Sequence, residues 1–297
     1  MKNGRNLIVN ADGYGFTPGV NEGIIKTFES GMITSTSCTP NFGHLGEAGK
    51  VQKQFPQVSF GIHFNLNVGP PCAPIEKVRS LVGNDGRFHG PALGEKLLRG
   101  QVKVEEMEIE LEAQAAILAD QGVSISHWDG HQNKHLWPVY FDVACRVAKK
   151  FNIPGIRSHR RQLYSTKGPI AASALTSYYL RNPKRVVTHL GGRWRTAQAE
   201  RRGFVAADRL ITPGYADDSH KSLGAFWHTL ADTLAQGYSE VYCHPGFPDA
   251  LLRANSQYVD PRADEVKVLT DPRVLEHFRE QNISLINFWD LQKVRAS

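Results

Sequence analysis

Short apolar runs recur along this chain, each followed by a polar cluster and then by a stretch with helical spacing. That alternation constrains the fold more than any other feature. Leu7-Ile8-Val9 is a β-branched run suited to a buried parallel strand. From Thr17 to Ser30 the pattern turns helical, with Pro18 at a first-turn position, Val20, Ile24, Ile25 and Phe28 on one face, and Gly31 as a stop. Strands are expected at Ile33–Thr39, Val58–Phe64, Ser124–Trp128, Gly155–Arg157, Ser239–Cys243 and Ser284–Phe288. Helices are expected at Val104–Gln121, with Met107, Ile109, Leu111, Ala115 and Leu118 apolar, at Pro138–Phe151 and at Asp271–Gln281. Strands alternating with helices imply βα units, a mainly parallel sheet and right-handed crossovers. The expected class is therefore α/β, as one distorted (β/α) barrel. The 297 residues are read as a single domain in which residues 163–222, the least patterned stretch, form an insertion or lid.

The polar clusters follow the expected strand ends, where such a sheet gathers its active site. They are Asn10-Ala11-Asp12, Gly61-Ile62-His63-Phe64-Asn65, Asp129-Gly130-His131-Gln132-Asn133-Lys134-His135 and Cys243-His244-Pro245-Gly246. An acid and several imidazoles converging from separate strands can bind a divalent cation and move protons around it. Each residue also has a plainer reading. His63 could be a satisfied core histidine, Asp12 could cap the helix near Thr17, and His244 could shape a turn. The remaining histidines, His127 and His159 among them, carry no motif.

Composition excludes several classes. The four cysteines, Cys38, Cys72, Cys145 and Cys243, form no CxxC pair and read as reduced, buried small hydrophobes. The opening residues hold too short an apolar stretch for a signal peptide, and no run spans a bilayer, so a cytoplasmic location and no membrane partner are expected. The net charge of +6 is dispersed, with a denser basic region from Arg181 to Arg202 around Arg193, Trp194 and Arg195. No nucleic-acid motif accompanies it, so a solvated face is the expected role and no nucleic-acid partner is inferred. Parallel barrels often dimerise, and a homodimer stays open.

The linked motifs Leu7–Gly15, Pro18–Ile24, Thr34–Ser37, Gly61–Leu66, Asp129–Pro138, Cys243–Phe247 and Leu285–Phe288 resemble, in order and spacing, the YdjC-like carbohydrate deacetylases, which include the chitooligosaccharide deacetylases. The resemblance covers most of the chain apart from the middle stretch. It implies a polysaccharide-deacetylase-type barrel that uses a divalent metal ion, Zn2+ or Mg2+, to remove an N-acetyl group from an amino sugar or N-acetylated oligosaccharide. By that likeness His63 and His131 are metal ligands, Asp12 is the base, His244 is the acid, and Arg157 holds or orients these groups. Asp129 is expected to orient His131 through its other ring nitrogen, and His135 to line the substrate cleft. The family pattern has a second Asp after the first, as a metal ligand, where this chain has Gly13, and a His where it has Asn133. Gly13 therefore leaves an alternative open: an impaired variant acting as a carbohydrate-binding or regulatory protein.

Overall fold

The structure is a computed structural model and describes residues 4–213 and 220–296. Its centre is a single curled sheet of ten strands: β1 (Arg5–Tyr14), β2 (Ser35–Cys38), β3 (Ser59–Phe64), β4 (Ile125–Gly130), β5 (Gly155–Ile156), β6 (Arg161–Ser165), β7 (Gly168–Pro169), β8 (Arg209–Pro213), β9 (Gly237–Cys243) and β10 (Ile283–Leu285). The order is β5-β4-β3-β2-β1-β9-β8-β6-β7, and β10 pairs with the first residues of β1. Every pairing is parallel except the β6–β7 hairpin. The expected α/β barrel is thus a half-barrel with helices on its outer face. Residues 163–222, the expected insertion or lid, hold strands of this same sheet and the helices Ala172–Arg181 and Pro183–Arg201; residues 214–219 lie outside the described residues.

Alternation along the strands explains how one sheet serves both a core and a site. On β1, Leu7, Val9 and Ala11 face the outer core with Phe28, Phe60 and Leu118. Ile8, Asn10 and Asp12 face the concave side, where Ile8 packs with Ala207, Tyr238, Phe288 and Leu291 as an apolar floor. The same period sorts β3, whose Phe60, Ile62 and Phe64 join the outer core and leave Ser59, Gly61 and His63 on the concave side. Gly61 is required there: a Cβ would fall 2.3 Å from the His127 ring, which stacks on Phe288 at 3.7 Å.

The expected strands and helices appear with ends moved by a few residues. β1 and β4 run further than their apolar stretches, so Asp12 and Asp129 lie inside strands rather than after them. Thr17 accepts a hydrogen bond from the Val20 N–H at 3.2 Å and caps the helix Pro18–Glu29, a role Asp12 is therefore free of. In the helix Val104–Asp120, Ile109 is exposed while Glu110 and Gln114 are buried. Glu110 accepts from the Cys72 and Ala73 N–H groups at 2.9 and 2.8 Å, and Gln114 brackets Asn65 through both its N–H and its C=O, so this helix ties down the loop that follows β3. Burial nonetheless raises the Glu110 pKa.

Candidate functional site

Six neighbouring elements each contribute a polar side chain to one cluster on the concave face. From one edge inward these are Arg157 just after β5, Asp129 on β4, His63 on β3, Ser37 on β2, Asp12 on β1 and Glu240 on β9. His63 and Asp129 are register partners, as are Asp12 and Ser37, so parallel pairing itself brings them together.

Arg157 is the hub. Nη1 and Nη2 donate to the two oxygens of Asp12 at 2.8 and 2.6 Å, Nη1 also reaches Asp129 at 2.7 Å, and Nε donates to Glu240 at 2.7 Å. Burial opposes its charge, but the three carboxylates overcome that and hold its pKa well above the ordinary value. Burial likewise favours a neutral Asp12 and a neutral Asp129, and in both Arg157 reverses the balance and lowers the pKa. Glu240 has only one guanidinium nitrogen and the Ser158 N–H, and burial lifts its pKa to about 7.

Asp129, expected to orient His131, instead meets His63: its Oδ1 lies 2.6 Å from His63 Nδ1. A carboxylate can only accept here, so Nδ1 carries the proton and Nε2 is the ring atom left for ligation or proton transfer. Burial works against a charged His63, yet Asp129 outweighs it and raises the pKa. Ser37 Oγ links the group, 3.2 Å from Asp129 Oδ2 and 3.4 Å from His63 Nδ1. Asn10 Nδ2 donates to Asp12 at 2.7 Å.

Above this floor opens a cleft of about 960 Å³ lined by Asp12, Gly13, His63, His131, Arg157 and His244 among others. All five expected site residues therefore meet in one place. The His131 ring sits edge-on to His63, centroids 5.5 Å apart. Burial, with His63 next, lowers its pKa to about 3. His131 opens a turn in which Gln132 and Asn133 both take left-handed backbone (φ 52° and 57°), and Asn67 braces Gln132 at 3.2 Å. Left-handed residues that are not glycine store strain, and such strain concentrates at functional sites.

His244 follows β9 across the cleft, its Nε2 3.9 Å from Asp12 Oδ2. One side of the ring is open, Tyr242 and Tyr258 stand edge-on to it, and burial, with Arg262 and Arg157 adding to it, lowers its pKa to about 4 against the pull of Asp12. His135 does not line the cleft. It is fully buried, with Nε2 3.0 Å from Nε2 of the equally buried His159, and burial lowers the pKa of both. The basic region contributes no cleft-lining residue: Trp194 is half-exposed and buried Arg195 stacks on Phe141.

Asp12, His63 and Asp129 each offer a ligand atom, and these atoms lie within 4.8 Å of one another. Carboxylate plus imidazole is the donor chemistry of zinc and related divalent ions. The residues fit such an ion. Gly13, at the place of the second acid, has φ +106° at an irregularity in the β1–β2 pairing. Its position is roomy, since a Cβ there would be 3.9 Å from Phe16 and Val20, but its backbone is one that side chains rarely adopt.

Glu240 escaped the sequence reading, although an acid inside the apolar strand Ser239–Cys243 was a visible signal. Arg262 and Glu265, which also line the cleft, had no motif to reveal them.

Comparison with known proteins gives a consistent result. Residues 6–280 match the family described as YdjC-like protein. A carbohydrate deacetylase of Thermoanaerobacter pseudethanolicus is 30% identical over 282 residues, covering 95% of this chain and 97% of that one. A carbohydrate deacetylase of Geobacillus stearothermophilus is 30% identical over 291 residues, covering 98% and 99%. Among solved structures, a putative cellobiose-phosphate cleavage protein of Enterococcus faecalis superposes with a TM-score of 0.70 at 28% identity, covering 97% of this chain and 99% of that one.

Proposed function

Because the chain belongs to the YdjC-like family, we propose that it is a carbohydrate deacetylase, removing an N-acetyl group from an amino sugar or N-acetylated oligosaccharide with a divalent cation, zinc or magnesium. The observation that carries this reading is the His63–His131 pair, ring centroids 5.5 Å apart, beside buried Asp12 in a cleft that His244 also lines.

In this reading His63, through Nε2, and His131 hold the cation beside Asp12. When bound, the cation polarises the amide carbonyl and acidifies a water. Asp12, its pKa lowered by Arg157 against the opposing effect of burial, would act as the base that takes a proton from the attacking water. As the water oxygen adds to the carbonyl carbon and the C–N bond then breaks, the amine nitrogen would take a proton from His244. His244 is neutral at rest, so the proton it gives is one gained during the cycle, from the group 3.9 Å away on Asp12. Arg157 holds Asp12 by two parallel bonds and fixes the direction of its carboxylate.

Acetate release from a panel of N-acetylated mono- and oligosaccharides, with zinc, magnesium or cobalt, tests the proposal. No acetate with any metal and any sugar would refute it. Gly13 favours a second reading, a carbohydrate-binding protein on this scaffold. Sugar affinity by calorimetry that survives chelator and His63→Ala, without acetate release, would support it over the first.

A further inference from the structure

We propose that Arg262 and Glu265 are positioning residues for His244, a role that rests on the reading of His244 as the proton donor. β9 ends at Cys243, so no strand ladder fixes His244, and Pro245 after it has no N–H to give. The residue is instead gripped by the helix Pro261–Leu269, where Arg262 and Glu265 lie one turn apart on a common face.

Each takes hold of two things. Glu265 accepts the His244 backbone N–H on Oε2 and the Tyr258 hydroxyl on Oε1, the latter at 2.6 Å. Arg262 donates to the His244 carbonyl from Nη1 at 3.2 Å and to the Tyr258 carbonyl from Nε at 2.9 Å. Arg262 also offers its own carbonyl to the Gly246 N–H at 3.3 Å. The Tyr258 ring stands edge-on to the His244 imidazole at 5.6 Å, so Glu265 holds both the backbone that carries the ring and the wall that the ring rests on. Both positioning side chains are buried, Glu265 at 2% and Arg262 at 6% exposure, so water does not replace these bonds when one is lost. The two residues thus set the direction of the imidazole towards Asp12.

Glu265→Gln keeps the shape but leaves one acceptor oxygen where the His244 N–H and the Tyr258 hydroxyl now have two. In the intact protein with metal and an N-acetylated sugar, kcat is expected to fall about 10–100-fold with KM held within about threefold, the signature of misplaced catalytic geometry. In a His244→Ala background the same change is expected to cost less than about twofold, because non-additivity marks residues that act as a unit. Equal losses in both backgrounds would overturn the proposal. Tyr258→Phe, which leaves the backbone bonds in place, gives a milder variant, with a kcat loss of about 3–10-fold by the same sensitivity to geometry. NMR of histidine-labelled protein separates this inference from the reading it rests on. The His244 ring signals should shift or broaden in both variants while those of His63 and His131 hold. Unchanged His244 signals refute the positioning role whether or not acetate is released. Absence of acetate from the unaltered protein refutes the deacetylase reading and leaves the NMR result to decide the grip.

Discussion

Replacing Arg157 by Met would test whether the site is a stressed cluster held by one cation. Methionine keeps much of the volume while removing every donor that Asp12, Asp129 and Glu240 now share. Removing one partner of a buried ion pair typically costs about 3–5 kcal/mol, and here three carboxylates are left facing one another, so about 4 kcal/mol is a lower expectation. At about 2 °C per kcal/mol for a chain of this size, the melting temperature should fall by about 8 °C or more. The sign of the pH dependence follows from linkage. In the variant the carboxylates lose the group that lowers or restrains their pKa values, so these rise above the unfolded values. A raised acid contributes stability below the unfolded pKa and loses it as pH rises through the folded pKa. The deficit should therefore be smaller at pH 5 than at pH 8. Thermal melts by circular dichroism in chelator at both pH values check this. A deficit under about 1 kcal/mol, or one equal at both pH values, would refute the account of Arg157 as the cluster's counter-charge.

Other outcomes are expected on the same physical grounds. Gly13→Asp should cost about 1–3 kcal/mol because φ +106° disfavours any side chain, yet it should tighten divalent-metal binding measured by calorimetry; unchanged or weaker binding would mean the site has been rebuilt around the glycine. Gly23→Ala would place a Cβ 2.5 Å from the Gly246 Cα, so a loss of about 1–3 kcal/mol should come with lower acetate release as the His244 loop is pushed away; full stability by urea titration would contradict that packing. Glu240, with a pKa raised to about 7, contributes stability that is whole below about pH 4 and lost as pH rises to about 7. Glu240→Ala should therefore flatten that part of the stability profile measured by urea denaturation, and an unaltered slope would argue against a titrating Glu240.

The fold was legible because its strands are buried on both faces or sorted by a period of two. Leu7-Ile8-Val9 and Phe60–Phe64 announced themselves by β-branched and aromatic content, and Pro18 and Gly31 marked their helix ends. What the periodicity of the apolar residues could not reveal was how far β1 and β4 continue once side chains turn polar, since Asn10, Asp12 and Asp129 lie on a concave face lined with partners. Asp129 was linked to the wrong histidine for a related reason. Proximity in sequence favoured His131, whereas register across neighbouring strands delivers His63. His135 looked like a cleft residue because of its motif, but its ring turns under the strand ends to meet His159, a partner 24 residues on that no local pattern announces. Arg262 and Glu265 lie beyond the reach of such reading altogether, because their significance comes from the loop they grip.

The guanidinium at the centre of the site also bears on how the protein comes into being. Small metal-bound domains often stay unfolded until their ion arrives, because the free energy of binding it is what folds them. Here the chain carries its own resident cation, and Arg157 already joins the ends of β1, β4, β5 and β9. Such a protein can fold before it meets its ion. Metal supply would then govern how many molecules are active, while the number that are folded stays the same.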